Sequence, residues 1–251
     1  MAIGSTLIIT PMPKKIYSMK KENSDSYQPG EQIALDAYVL DTELGHHKLI
    51  DLCQSSNASV VMLYIYGGGA MNHSDRLGGI WCPDSFEDFH ILRFIHKKYD
   101  NSQVKIIPVA CAPAYSSLYY GLQHRVFLDK PDDDKIFKES VKKFIESTEQ
   151  AVKAGYVPLA TYYDLRHRLL FNNKKDLQPG EGYGPVFSWQ GKFRAEGETQ
   201  KYGTPTIWLL NADGMVLSEP FHGNTYHSDP YQISYTVLEV DRVSRTLLED
   251  K

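Results

Sequence analysis

Apolar residues in this chain come in short blocks set between polar and glycine-rich stretches. Val60-Val61-Met62-Leu63-Tyr64-Ile65-Tyr66 is a continuous apolar, β-branched and aromatic run. Such a run predicts a strand buried on both faces, in a sheet covered by helices. Phe86, Phe89, Leu92, Ile95 and Tyr99 then recur at helical spacing, which predicts a helix from Ser85 to Tyr99 with those side chains inward. Val104 to Cys111 reads as the next buried strand, so strand, helix and strand form a parallel crossover unit. Upstream, Leu35 to Leu40, a turn at Glu43-Leu44-Gly45 and His47 to Leu52 predict a hairpin running into a short helical turn. Downstream, Ile136, Val141, Ile145 and Val152 mark an amphipathic helix over Lys135 to Ala154, with Gly155 where a left-handed residue ends a helix. Val157 to Tyr163 reads as another strand. Pro205 to Leu210 and Met215 to Ser218 read as a hairpin about Asn211-Ala212-Asp213-Gly214. Asp229 as N-cap and Pro230 at the first helical position predict a last helix to about Leu248, its inner face Ile233, Val237, Val240 and Leu247.

These elements alternate as one α/β domain over residues 33–251, preceded by a loosely ordered segment, 1–32, rich in Pro, Lys and Ser near its end. Insertions fall at about 67–80 and 164–200, the second containing Pro179-Gly180-Glu181-Gly182-Tyr183-Gly184-Pro185. No internal repeat is present. The length of 251 residues and a hydrophobic fraction of 42% support a sizeable core. A net charge of −4 gives no basic field for nucleic acid or an anionic membrane, and the apolar runs are too short to span a bilayer. The N-terminus lacks the leading positive charge and long apolar core of a secretory signal, so the expected location is the cytoplasm.

Three cysteines, Cys53, Cys82 and Cys111, are too few for a disulfide framework and lack zinc spacing. Thiol chemistry at one of them is the remaining option. Cys82 stands just before the first crossover helix, where unpaired N–H groups and the positive end of the dipole favour thiolate over thiol. Gly67-Gly68-Gly69 fails as a phosphate loop, with Asn72 at the third glycine position and no Gly-Lys pair. His46-His47, His73, His222 and His227 show no ligand spacing, so neither a metal nor another cofactor is expected.

Trp81-Cys82-Pro83-Asp84-Ser85 resembles the W-C-x-x-C site of thioredoxin-like proteins, with serine in place of the second cysteine. Tyr202-Gly203-Thr204-Pro205-Thr206 through Gly214 is similar to the cis-proline strand and turn of the redoxin, TlpA-like and AhpC-TSA group. The hairpin region from Ala37 to Leu52 resembles the N-terminal part of the same group. The resemblance implies a thioredoxin-like three-layer α/β fold, with a central mixed sheet flanked by helices, an N-terminal hairpin extension and insertions.

It further implies that Cys82 is the attacking thiol and that Pro205, after a cis Thr204–Pro205 bond, lies beside it. Trp81 would shield the sulfur, and Trp81, Pro83, Thr204 and Pro205 would line the substrate groove by strand addition. Ser85 cannot close a disulfide with Cys82, so the implied activity is monothiol exchange or sulfenic acid reduction on a protein thiol or disulfide. The mixed disulfide would be resolved by an external thiol, glutathione or a thioredoxin system, or by Cys111 on the same sheet edge, although core filler is the favoured reading of Cys111. Cys53 reads as structural. Two alternatives stay open. One is a protein without catalysis that binds a partner at the cis-proline groove. The other is peroxide reduction, although Gly79 and Asp75 stand where the peroxiredoxin branch carries threonine or serine and proline.

Overall fold

The computed structural model describes residues 27–33, 38–69, 80, 82–111, 134–164, 204–222 and 235–249. Along the chain run β1 (Tyr38–Leu40), β2 (His46–Lys48), α1 (Leu49–Gln54), β3 (Val60–Gly67), α2 (Pro83–Lys98) and β4 (Val104–Cys111). There follow α3 (Asp134–Lys153), β5 (Tyr162–Asp164), β6 (Thr206–Leu210), β7 (Phe221–His222) and α4 (Val237–Glu249). The seven strands form one mixed sheet in the order β2-β1-β5-β4-β3-β6-β7.

Every residue of β3 is buried, as an unbroken apolar run on a central strand requires. β3 pairs parallel with β4, and β4 parallel with β5, so two successive crossovers step across the sheet in the same direction. Right-handed crossovers of that kind put both connecting helices on one face. The packing agrees: Val60, Met62, Tyr64 and Tyr66 meet Phe89, Leu92 and Ile95 of α2, Phe144 and Ile145 of α3 and Val240 of α4. The alternate residues Val61, Leu63 and Ile65 point to the other layer, with Leu49, Ile50 and Cys53 of α1, Ile33 and Trp208. β6 runs antiparallel to β3 and is entered through a cis Thr204–Pro205 bond. A central strand flanked by a parallel crossover and by an antiparallel strand behind a cis-proline is the thioredoxin-like fold. None of the described helices is long and apolar enough to cross a membrane.

Local chemistry sets the element ends. Gly155 adopts φ +76° after α3, and the N–H groups of Gly155 and Tyr156 bond Val152 O and Ala151 O, closing a Schellman motif. Two boundaries depart from the sequence expectation. The strand expected over Val157 to Tyr163 forms only at Tyr162–Asp164, because the residues after the motif include Pro158, which has no N–H to give a ladder. The last helix begins at Val237 and not behind Asp229 and Pro230, which lie outside the described residues. Thr236 and Glu239 make a reciprocal capping box there, Thr236 N–H to Glu239 Oε2 at 2.7 Å and Glu239 N–H to Thr236 Oγ1 at 3.3 Å.

The return arm expected over Met215 to Ser218 forms: Val216 bridges Leu210, the Leu217 N–H bonds Leu209 O and the Asn211 N–H bonds Met215 O, and β7 continues the pairing with β6. Its outer edge takes the N-terminal segment. Gln32 bridges Met215, the Val216 N–H bonds Glu31 O, and the Gly30 N–H bonds Val216 O.

Candidate functional site

The carboxyl end of β3 is where three chain segments meet. Ile80 is fully buried and bridges back to Gly68 and Gly69, so the chain leaving β3 returns to the strand end just before Cys82. Pro83 then starts α2, its fixed φ suited to the first helical position, with Cys82 as an extended N-cap at φ −93° and ψ 110°. From the other side, β6 continues the register set by Ile65 opposite Thr206, which carries Thr204 across from Gly67. Sulfur at an N-cap is a poor capping acceptor, and Cys82 makes no cap hydrogen bond. Its thiol is therefore held by a neighbour from the chain entering β6.

Cys82 Sγ–H donates to the Thr204 carbonyl at 3.4 Å, and the Thr204 hydroxyl lies 3.5 Å from the sulfur. Ser85 follows on the first turn of α2. Its Oγ accepts the Gly67 N–H at 3.0 Å. The cluster is closed: Cys82 is 5% exposed, Thr204 3% and Ser85 0%. Burial pushes the Cys82 thiol up from its ordinary value, against the pull of the neighbouring Ser85 and Thr204, with the charge of Asp84 adding to the rise. This corrects the expectation from the helix terminus alone. Desolvation in the closed site outweighs the favourable end of α2.

Of the other expected residues, Pro205 is buried beside Thr204, and Pro83 opens the helix. Trp81 lies outside the described residues, as do 70–79 and 165–203. Cys111 ends β4 with its side chain in the α1 layer, its Sγ 3.8 Å from Asp164 Oδ2, and burial beside that carboxylate pushes the thiol well up. Cys53 packs in that same layer, and all three cysteines are free. His46 and His47 sit on β2 and His222 on β7, at opposite ends of the sheet. Among the described residues no group of three His, Cys, Asp or Glu side chains is placed to hold a metal.

The structure adds one ionisable group that the sequence reading passed over. Asp88 of α2 is fully buried on the sheet-facing side. Tyr235 donates its hydroxyl to Asp88 Oδ2 at 2.9 Å. The Tyr64 hydroxyl lies against the same carboxylate, yet neither Tyr64 Oη nor Asp88 Oδ1 completes a hydrogen bond. Burial pushes the carboxyl up to about 6, with the Tyr235 and Tyr64 hydroxyls pulling the other way. Ser85, Asp88, Leu92 and Ile95 share one helical stripe, and two polar residues on it were the available sign.

No family model and no curated protein matches this chain. Solved structures do resemble it. A thiol-disulfide isomerase from Corynebacterium glutamicum is 14% identical, with 88% of this chain and 98% of that one covered at a TM-score of 0.44. A yeast mitochondrial 1-Cys peroxiredoxin is 13% identical, covering 88% and 76% at 0.44. BsSco, of the Sco family of cytochrome c oxidase assembly proteins, is 13% identical, covering 92% and 100% at 0.40. They are likenesses of fold at low identity. The strand order and the cis Thr204–Pro205 bond carry the thioredoxin-like assignment by themselves.

Proposed function

We propose that the chain is a thiol-disulfide oxidoreductase that works through one cysteine, Cys82. The observation that carries the reading is the pair of Thr204 groups held at that sulfur, its carbonyl accepting the thiol proton at 3.4 Å and its hydroxyl 3.5 Å away. A buried thiol that only filled space would need neither of them. At rest Cys82 is protonated and gives its proton to the Thr204 carbonyl. On ionisation that bond is lost and the Thr204 hydroxyl faces a thiolate. The thiolate attacks one sulfur of a substrate disulfide, the S–S bond breaks, and the other sulfur leaves as a thiolate. A sulfenic acid substrate reacts likewise, with hydroxide leaving. No second thiol stands at position 85, so an external thiol such as glutathione attacks the substrate-side sulfur of the mixed disulfide and expels Cys82.

One observation favours a second reading, a partner-binding protein without catalysis. Cys82 is closed in and its thiol is pushed up, the opposite of an exposed, acidified nucleophile.

Glutathione disulfide separates the two. The one-cysteine enzyme gains a single glutathionyl group, mapped to Cys82 by peptide mass, and loses it to reduced glutathione. Cys82→Ser gains none, and Cys111→Ser behaves as the parent. A native chain that takes up no adduct at Cys82, while the urea-unfolded chain does, overturns the enzymatic reading in favour of the binding one.

A further inference from the structure

We propose that Tyr235 is a positioning residue for the Cys82 site, a strut that holds α2 at a fixed place against β6 and so keeps the sulfur within reach of Thr204. The inference deepens the one-cysteine reading and rests on it. Tyr235 stands just ahead of α4 and is buried. Its hydroxyl donates to Asp88 Oδ2 of α2 at 2.9 Å, and its ring packs on that of Phe221 in β7, with centroids 5.6 Å apart. Phe221 is in register with Ile207 of β6. One side chain thus joins the two elements that lead to the sulfur.

The two arms match in length. Asp88 lies six residues along α2 from Cys82, about 9 Å at the helical rise. Ile207 lies three residues along the chain from Thr204, about 10 Å at the strand rise. The strut therefore crosses behind the site at one level. Its footing is fixed as well. Thr236 and Glu239 cap α4 directly after Tyr235, and the far end of α2 is tied to α4 through Lys98 and Tyr99 on Asp241. With a tie at each end, α2 cannot slide along α4.

The site depends on such a restraint. Cys82 makes no cap hydrogen bond to its own helix. Its contacts to the Thr204 carbonyl and hydroxyl, at 3.4 and 3.5 Å, join segments 122 residues apart in the chain. A slip of α2 by about an ångström would part them, because hydrogen bonds weaken steeply with distance and angle.

The test is a double-mutant cycle on the rate at which Cys82 takes up glutathione from glutathione disulfide at pH 7, read by peptide mass. Thr204→Val removes the hydroxyl beside the sulfur and is expected to slow the parent about fivefold, the worth of one hydrogen bond. Tyr235→Phe deletes the hydroxyl of the strut and keeps its ring on Phe221. In that background Thr204→Val is expected to slow the reaction less than about twofold, because the sulfur has already left Thr204. Asp88→Asn, whose amide oxygen still accepts from Tyr235, is expected to keep the full dependence on Thr204. Should Tyr235→Phe not fold, Phe221→Leu replaces it at the other end of the strut, with the same loss of dependence expected. An undiminished effect of Thr204→Val in Tyr235→Phe overturns the inference and leaves the one-cysteine reading standing. Loss of the dependence in Asp88→Asn does the same, since it assigns the effect to charge. A parent indifferent to Thr204→Val, or one whose native Cys82 takes up no glutathione, overturns both.

Discussion

Replacing Asp88 by asparagine isolates the cost of keeping a carboxylate between α2 and the sheet. Its carboxyl is pushed from the ordinary 3.8 to about 6, chiefly by burial. At about 1.4 kcal/mol per unit, that difference amounts to roughly 3 kcal/mol. The native state therefore holds this proton more tightly than the unfolded chain does. The stabilisation is fully present below about pH 4 and is lost as pH rises through about 6, so at pH 7 the ionised group is a net liability. Asparagine cannot ionise, and its carbonyl oxygen still accepts from the Tyr235 hydroxyl. Urea unfolding of parent and Asp88→Asn, followed by circular dichroism from pH 4 to 7.5, measures the effect. Asp41, Asp100 and Asp241 have lowered values and pull stability the other way with pH, but they are common to both chains and cancel in the difference. The expected difference is small near pH 4 and grows to between about 1 and 3 kcal/mol in favour of the variant by pH 7. A difference that does not change with pH, or a variant less stable than the parent at pH 7, refutes the reasoning.

Ser85→Cys should cost about 1 kcal/mol, because sulfur is a weaker acceptor for the buried Gly67 N–H, and should still fold. It is expected to gain dithiothreitol-driven insulin reduction that the parent lacks, and Cys82→Ala in the same background should abolish it. A folded variant that forms no disulfide between positions 82 and 85 counts against the family-like geometry of this turn. Lys98→Met tests the contact between α2 and α4, where Lys98 Nζ lies 2.5 and 2.7 Å from the Asp241 carboxylate oxygens and the Tyr99 hydroxyl donates to the same group at 2.7 Å. Burial pushes the Asp241 carboxyl up, but Lys98 and Tyr99 hold it below the usual range. Its contribution is present at neutral pH and fades as pH falls below about 4. A loss of about 1 kcal/mol at pH 7 that shrinks on acidification is expected, and a loss independent of pH contradicts it.

The strands of the sheet centre could be read from the sequence because burial on both faces leaves no polar residue in them. Val60 to Gly67 and Val104 to Cys111 stand where the apolar runs place them. The helix of Val237–Glu249 starts at the Thr236–Glu239 capping box, which takes effect through its geometry and was not picked out in the sequence; Asp229 and Pro230 lie outside the described residues. The return arm after Gly214 was legible from its turn residues, whereas its second neighbour, residues 30–33, is far away in sequence and was not. At the site, the placement of Cys82 beside Thr204 and Pro205 followed from motif order. The protonation of Cys82 did not. A helix terminus is visible in a sequence, but the depth at which several segments close over a sulfur is not. Cys111 illustrates the same gap, since a position on the shared edge says nothing of the side of the sheet it faces until the alternation along β4 is counted.

The pinch of Ile80 onto Gly68 and Gly69 has a consequence for engineering. Residues 70–79 leave and re-enter the fold at one point, so their number is uncoupled from the position of the helix behind them. Lengthening a connection whose ends are already joined adds only about 0.6 kcal/mol for each doubling. An insertion between these joined ends would leave the β3 and α2 anchors where they are.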